Sequence, residues 1–154
     1  MYSTTNGLKI YYDVSGEGFP FVMVHPNPFD GNLWMYQISH FSTYFKVIAI
    51  DIRGYGRSDK PETPFSLKDM ADDVLGVCRD EKVTEAILGG VSVGSGMAIL
   101  LGLDHPEMFK AIILVGGSSG PGGSIDVRIH GYTKDGNEKN HIEHLRDLVA
   151  PDFA

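Results

Sequence analysis

Apolar and polar positions alternate in register with strands and helices along most of the chain. Tyr2–Thr5 and Leu8–Val14 flank Asn6-Gly7, the dipeptide that favours a type I′ turn, and so predict an opening β-hairpin. After the Ser15-Gly16-Glu17-Gly18 turn, Phe19 to His25 is nearly continuous in apolar residues, as expected of a strand covered on both faces. Leu33, Trp34, Tyr36, Ile38 and Phe41 recur at mixed spacing and predict a short helix over Asn32–Phe41. Lys46–Asp51 is a second buried strand. Ser66-Leu67-Lys68-Asp69 has the form of a capping box, and Leu67, Met70, Ala71, Val74, Leu75 and Cys78 follow at three- and four-residue intervals, predicting a helix with one apolar face. Ala86–Gly90 then reads as strand, Val93–Leu103 as helix and Ala111–Val115 as strand. The alternation predicts an α/β fold with a mostly parallel sheet flanked by helices.

The pattern changes after Gly116. Gly116-Gly117-Ser118-Ser119-Gly120-Pro121-Gly122-Gly123-Ser124 has the composition of a linker or loop. Beyond it, Ile142, Leu145, Leu148 and Val149 fall on one face of an amphipathic helix over 138–149 that stops before Pro151. The expected organisation is therefore a core over 1–117 and a glycine-rich linker with a helix over 118–154.

Charge and composition narrow the chemistry. Thirteen Lys and Arg against twenty Asp and Glu give a net charge of −7 over 154 residues, which disfavours nucleic acid and anionic membrane as partners. No apolar run is long enough to span a bilayer and the first residues lack a signal-peptide pattern, so a cytoplasmic location and a small-molecule partner are expected. The single cysteine, Cys78, excludes an internal disulfide and falls on the apolar face of a predicted helix. Glycine is enriched, at 19 residues, and clusters where the backbone must turn sharply or approach another segment closely.

One cluster carries a motif. Gly90-Val91-Ser92-Val93-Gly94 follows a predicted strand and opens a predicted helix, the context required of a G-x-S-x-G nucleophile elbow. Small residues two before and two after the serine let the chain pass itself, and the turn presents the hydroxyl to a substrate. The N-terminus of the following helix points N–H groups and a positive dipole end at the same place, favouring a developing oxyanion.

Together with this motif, Phe21-Val22-Met23-Val24-His25-Pro26-Asn27-Pro28, Asp51-Ile52-Arg53-Gly54-Tyr55-Gly56-Arg57-Ser58-Asp59-Lys60-Pro61 and Asp104-His105-Pro106-Glu107-Met108-Phe109-Lys110-Ala111 resemble the α/β-hydrolase superfamily in order and separation. The resemblance runs from about Leu8 to Gly117 and corresponds to the N-terminal half of that fold with the start of a cap region. It implies a serine hydrolase acting on an ester or related acyl bond. Ser92 would be the nucleophile, and the N–H groups of Val93 and Asn27 would form the oxyanion hole. The family's usual His-Gly pair is His25-Pro26 here, and since proline has no N–H the donor moves to Asn27. Asn27 also resembles the halide-holding asparagine of haloalkane dehalogenases, but those enzymes have an aspartate where this chain has Ser92.

Family order places an Asp or Glu and then a His after the nucleophile, on strands beyond the sixth. No such strands follow Val115, so base and acid are expected from a C-terminal segment or second chain. His130, His141 and His144 lie in the right order with Asp126 and Asp147 nearby, but two of them fall on a polar helix face, where a histidine is ordinarily solvated. His141 and His144 with Glu138 or Asp147 lack the spacing of a zinc hydrolase, and no metal or cofactor is expected. His25 is expected to bond neighbouring loops, Asp51 and Arg53 to brace a loop beside the site, and Ser95 to act as a small packing residue. Rival readings are a haloperoxidase or lactonase-type activity on the same scaffold and a non-catalytic, partner-completed binding fragment.

Overall fold

A computed structural model describes residues Met1–Gly117; the predicted linker and the helix over 138–149 lie outside the described residues. The strands are β1 (Tyr2–Thr5), β2 (Leu8–Ser15), β3 (Phe19–Val24), β4 (Phe45–Ile50), β5 (Ala86–Val91) and β6 (Phe109–Val115), and the helices α1 (Met35–Phe41), α2 (Leu67–Asp80) and α3 (Val93–Asp104). They form a six-stranded sheet in the order β1-β2-β4-β3-β5-β6. β1, β2 and β4 pair antiparallel, while β4, β3, β5 and β6 are parallel to one another.

Local chemistry accounts for the elements. Asn6 and Gly7 both have positive φ, at 51° and 78°, as a type I′ turn requires. The Ser66 hydroxyl accepts the Asp69 N–H at 3.2 Å while the Asp69 carboxylate accepts the Ser66 N–H at 2.7 Å, completing the predicted capping box. The segment predicted as one helix over Asn32–Phe41 is instead a turn of 3-10 helix over Gly31–Trp34, capped by the Asp30 side chain on Asn32 N–H, followed by α1. Its mixed apolar spacing reflects that change of period.

Alternation along β3 sorts the core. Val22 and Val24 join Ile48 and Ile50 of β4 under α2 and α3, whereas Phe21 and Met23 join Val47 on the opposite face, against Trp34, Ile38 and Phe41. Cys78 is fully buried on the α2 side, and burial pushes its thiol up to about 12, so it is an inert core residue. Among the described residues β6 is an edge strand, and Ile112, Ile113, Leu114 and Val115 are all exposed. No described helix is long and apolar enough to cross a membrane.

Candidate active site

Ser92 sits between β5 and α3 with φ 53° and ψ −112°, a region that L-residues avoid and that persists only where neighbouring structure enforces it. The neighbours do so here. A Cβ on Gly90 would run into the Gly94 carbonyl, and one on Gly94 would run into the Val24 carbonyl. Both small positions of the motif are thus dictated by close backbone passage, as the sequence predicts. The Ser92 N–H donates to Val115 O at 3.0 Å, and the Ser92 carbonyl accepts from Ser95 N and Gly96 N at 3.0 and 3.2 Å. The backbone is therefore held from both sides while the side chain remains exposed.

Ser95 does more than the expected small-residue packing. It is fully buried, its hydroxyl donates to Gly90 O at 2.7 Å, and it accepts the Val115 N–H at 3.3 Å. It thereby ties the two strand ends that flank the elbow, a role for which its place between two glycines gives no sequence signal.

The loop after β3 lies against the start of α3, since Gly94 approaches the carbonyls of both Val24 and His25. This brings the loop carrying Asn27 to the elbow, where the sequence reading requires a second donor. Among the described residues the N–H groups of Asn27 and Val93 enter no hydrogen bond. Val93 is the first residue of α3, so its N–H is one of those that helix geometry leaves unpaired.

The three described histidines occupy different positions. His25 is fully buried: Nε2 accepts the Ile52 N–H at 3.0 Å and Nδ1 lies 2.9 Å from the Pro26 carbonyl. Burial lowers its pKa despite the Pro26 contact and the Asp51 charge, so the ring is neutral with both nitrogens committed. His40 lies edge-on to Phe41 and tilted against Tyr44 near the end of α1. His105 follows the last residue of α3 and pairs with Glu107 at 3.5 Å, a helix length of ~18 Å from Ser92. His25, with both nitrogens committed, and His105, at the far end of α3, are not placed to act as a base on Ser92. His130, His141 and His144 lie outside the described residues, and among the described residues no three His, Cys, Asp or Glu side chains form a potential metal site.

The loop after β4 is an ion-paired brace, built from two separate pairs. Asp51 accepts from Gly31 N at 2.7 Å, Arg57 N at 2.8 Å and Arg57 Nε at 3.1 Å, tying the loops after β3 and β4 together. Burial raises its pKa, but these donors outweigh burial and hold the carboxyl below its ordinary value of 3.8. A lowered folded-state value stabilises the protein above the unfolded value, and the contribution fades as pH falls through the folded one. Urea titrations should therefore show Asp51→Asn less stable than the parent at pH 7, with the gap narrowing below about pH 4. A gap independent of pH would exclude this ionisation. Arg53 pairs elsewhere, with Asp73 of α2, through bonds of 2.6 and 2.7 Å.

A model of the alpha/beta hydrolase fold matches residues 20–149. The AB hydrolase superfamily protein YisY of Bacillus subtilis (strain 168) is 33% identical over 114 residues, covering 72% of this chain and 42% of that protein. An esterase from Exiguobacterium antarcticum superposes with a TM-score of 0.73 at 34% identity, over 77% of this chain and 46% of that one. Est816, described as an N-acyl homoserine lactone degrading enzyme, superposes with a TM-score of 0.78 at 35% identity, over 96% and 56%. The chain thus spans about half the length of the relatives it matches. With the strand order and this match in agreement, the chain belongs to the α/β-hydrolase fold family.

Proposed function

We propose that the chain carries the nucleophile and oxyanion hole of a serine hydrolase acting on esters or related acyl bonds. The observation that carries this reading is an exposed Ser92 held in a strained turn at the start of a helix. Ser92 Oγ attacks the substrate carbonyl carbon and passes its proton to a general base. The N–H groups of Val93 and Asn27 donate to the resulting oxyanion, and the departing alcohol takes up the proton as the acyl-enzyme forms. Water then attacks the acyl-enzyme, releasing the acid and restoring the serine.

With both ring nitrogens of His25 committed, the base and its orienting carboxylate are proposed to come from outside the described residues, from a C-terminal segment or second chain. A serine rather than a carboxylate at the elbow favours acyl transfer. The likeness to an esterase and to a lactone-degrading enzyme supports linear and cyclic esters as the substrate class. The acidic balance accords with a small-molecule substrate.

A fluorophosphonate probe tests the assignment, because an activated serine displaces fluoride from phosphorus and keeps the phosphonyl group. One added phosphonyl mass on the purified protein, lost in Ser92→Ala, is the expected result. An unmodified parent protein, checked by native mass for its full complement of chains, would overturn it.

A further inference from the structure

The Pro26–Asn27 peptide bond is the part of the site most easily placed wrongly, because its two ends have opposite electrostatic effects. With the N–H toward the substrate it stabilises an oxyanion; turned over, it presents a carbonyl that repels one. The bond is trans, so its C=O and N–H point in opposite directions and fixing one fixes the other. The Pro26 carbonyl is fixed twice: it lies 2.9 Å from His25 Nδ1, and it accepts the Phe29 N–H at 3.0 Å.

The tautomer of His25 follows from its second contact. The Ile52 N–H is an obligate donor, so Nε2, 3.0 Å away, must accept. In the neutral ring the proton is then on Nδ1, which donates to the Pro26 carbonyl. The ring is fully buried and pulls that carbonyl toward the interior, leaving the Asn27 N–H on the opposite side.

We propose that His25 is a positioning residue of the oxyanion hole: by donating from Nδ1 to the Pro26 carbonyl, it holds the Pro26–Asn27 peptide with the Asn27 N–H turned toward the oxyanion formed on Ser92. This rests on the roles given to Ser92 and Asn27 above. It goes beyond a loop brace, because it assigns separate consequences to the two ring nitrogens.

Two substitutions separate them. An asparagine at 25 places an amide N–H near the position of Nδ1 and retains the donor to Pro26, but it leaves Ile52 N–H unpaired. A glutamine places its amide oxygen near Nε2 and retains the Ile52 contact, but it has no donor for Pro26. With ester hydrolysis measured on the whole enzyme, H25Q should lower kcat by ~10²-fold, the scale of one lost oxyanion donor, with KM changed less than about threefold. H25N should stay within about tenfold of the parent kcat despite the larger loss of stability. A boronic acid, which forms a tetrahedral adduct on the serine, should lose affinity in H25Q in step with kcat.

The reverse order, or kcat falling only with the folded fraction in both variants, would reduce His25 to a structural residue and overturn the proposal. The unaltered protein gives an independent check should the variants not fold. Two-bond proton–nitrogen correlations of the His25 ring are expected to show the Nδ1–H tautomer, and an Nε2–H or doubly protonated pattern would overturn the proposal. Failure of the underlying reading looks different, since the parent protein would then neither hydrolyse esters nor take the fluorophosphonate.

Discussion

With Ser92 as the proposed nucleophile, replacing it by alanine is expected to lower kcat of the whole enzyme on the order of 10⁶-fold, the scale of removing the nucleophile from a serine hydrolase. Replacing it by glycine should be as damaging to turnover, yet the two variants should differ in stability. Ser92 has φ 53° and ψ −112°, a conformation that costs a residue with a Cβ about 1–3 kcal/mol. Alanine keeps that strain. Glycine relieves it but gains freedom in the unfolded chain, leaving a net stabilisation of about 1 kcal/mol. Urea unfolding of parent, Ser92→Ala and Ser92→Gly proteins checks the order, with glycine highest and the other two close together. If glycine proves no more stable than alanine, the turn is relaxed and its geometry places the hydroxyl without stored strain.

Removing one member of the Arg53–Asp73 pair should produce the largest loss of stability. The two side chains are only 7% and 2% exposed, and the guanidinium also lies 5.6 Å from the Phe65 ring centre. Asp73→Ala leaves a buried cation without its hydrogen-bonded counter-charge, a change that typically costs about 3–5 kcal/mol. The double variant Arg53→Met with Asp73→Leu should recover most of that loss, because desolvating two charges offsets much of their attraction. Thermal and urea melts of the single and double variants read both effects. A double variant no more stable than the single one would assign the pair a larger net contribution than buried ion pairs usually have.

How far the sequence carries depends on whether a feature is local. The turn at Asn6-Gly7, the box at Ser66 and Asp69, and the apolar period of α2 are each set by residues a few positions apart, and all are legible in order. So is the tight strand-to-helix turn at Ser92, because strand, small residues and helix start are contiguous. The 3-10 turn at Gly31–Trp34 blurs the helical period and is legible only as a longer helix. The contacts of His25 with Ile52, of Arg53 with Asp73 and of Ser95 with Val115 join segments about 20 or more residues apart. Nothing in the spacing of one chain specifies them. Asp51 finds Arg57 within its own short motif, yet its other donor, Gly31 N–H, lies on the loop after β3 and the partner of Arg53 lies on α2, which only the folded sheet brings near.

The sheet order also describes how this molecule is built during translation. β4 inserts between β2 and β3, but β5 then attaches to β3 and β6 to β5, so the last two strands each add outside those already made. From β4 onward a growing chain can therefore assemble outward in the order of synthesis. The cost falls on the newest edge. While Phe109–Val115 is outermost it presents an apolar strand in which Lys110 is the only charged residue. Segments of that kind readily recruit a matching strand from a neighbouring chain. On a crowded polysome the interval in which β6 is outermost is thus when the nascent protein is most in need of a chaperone.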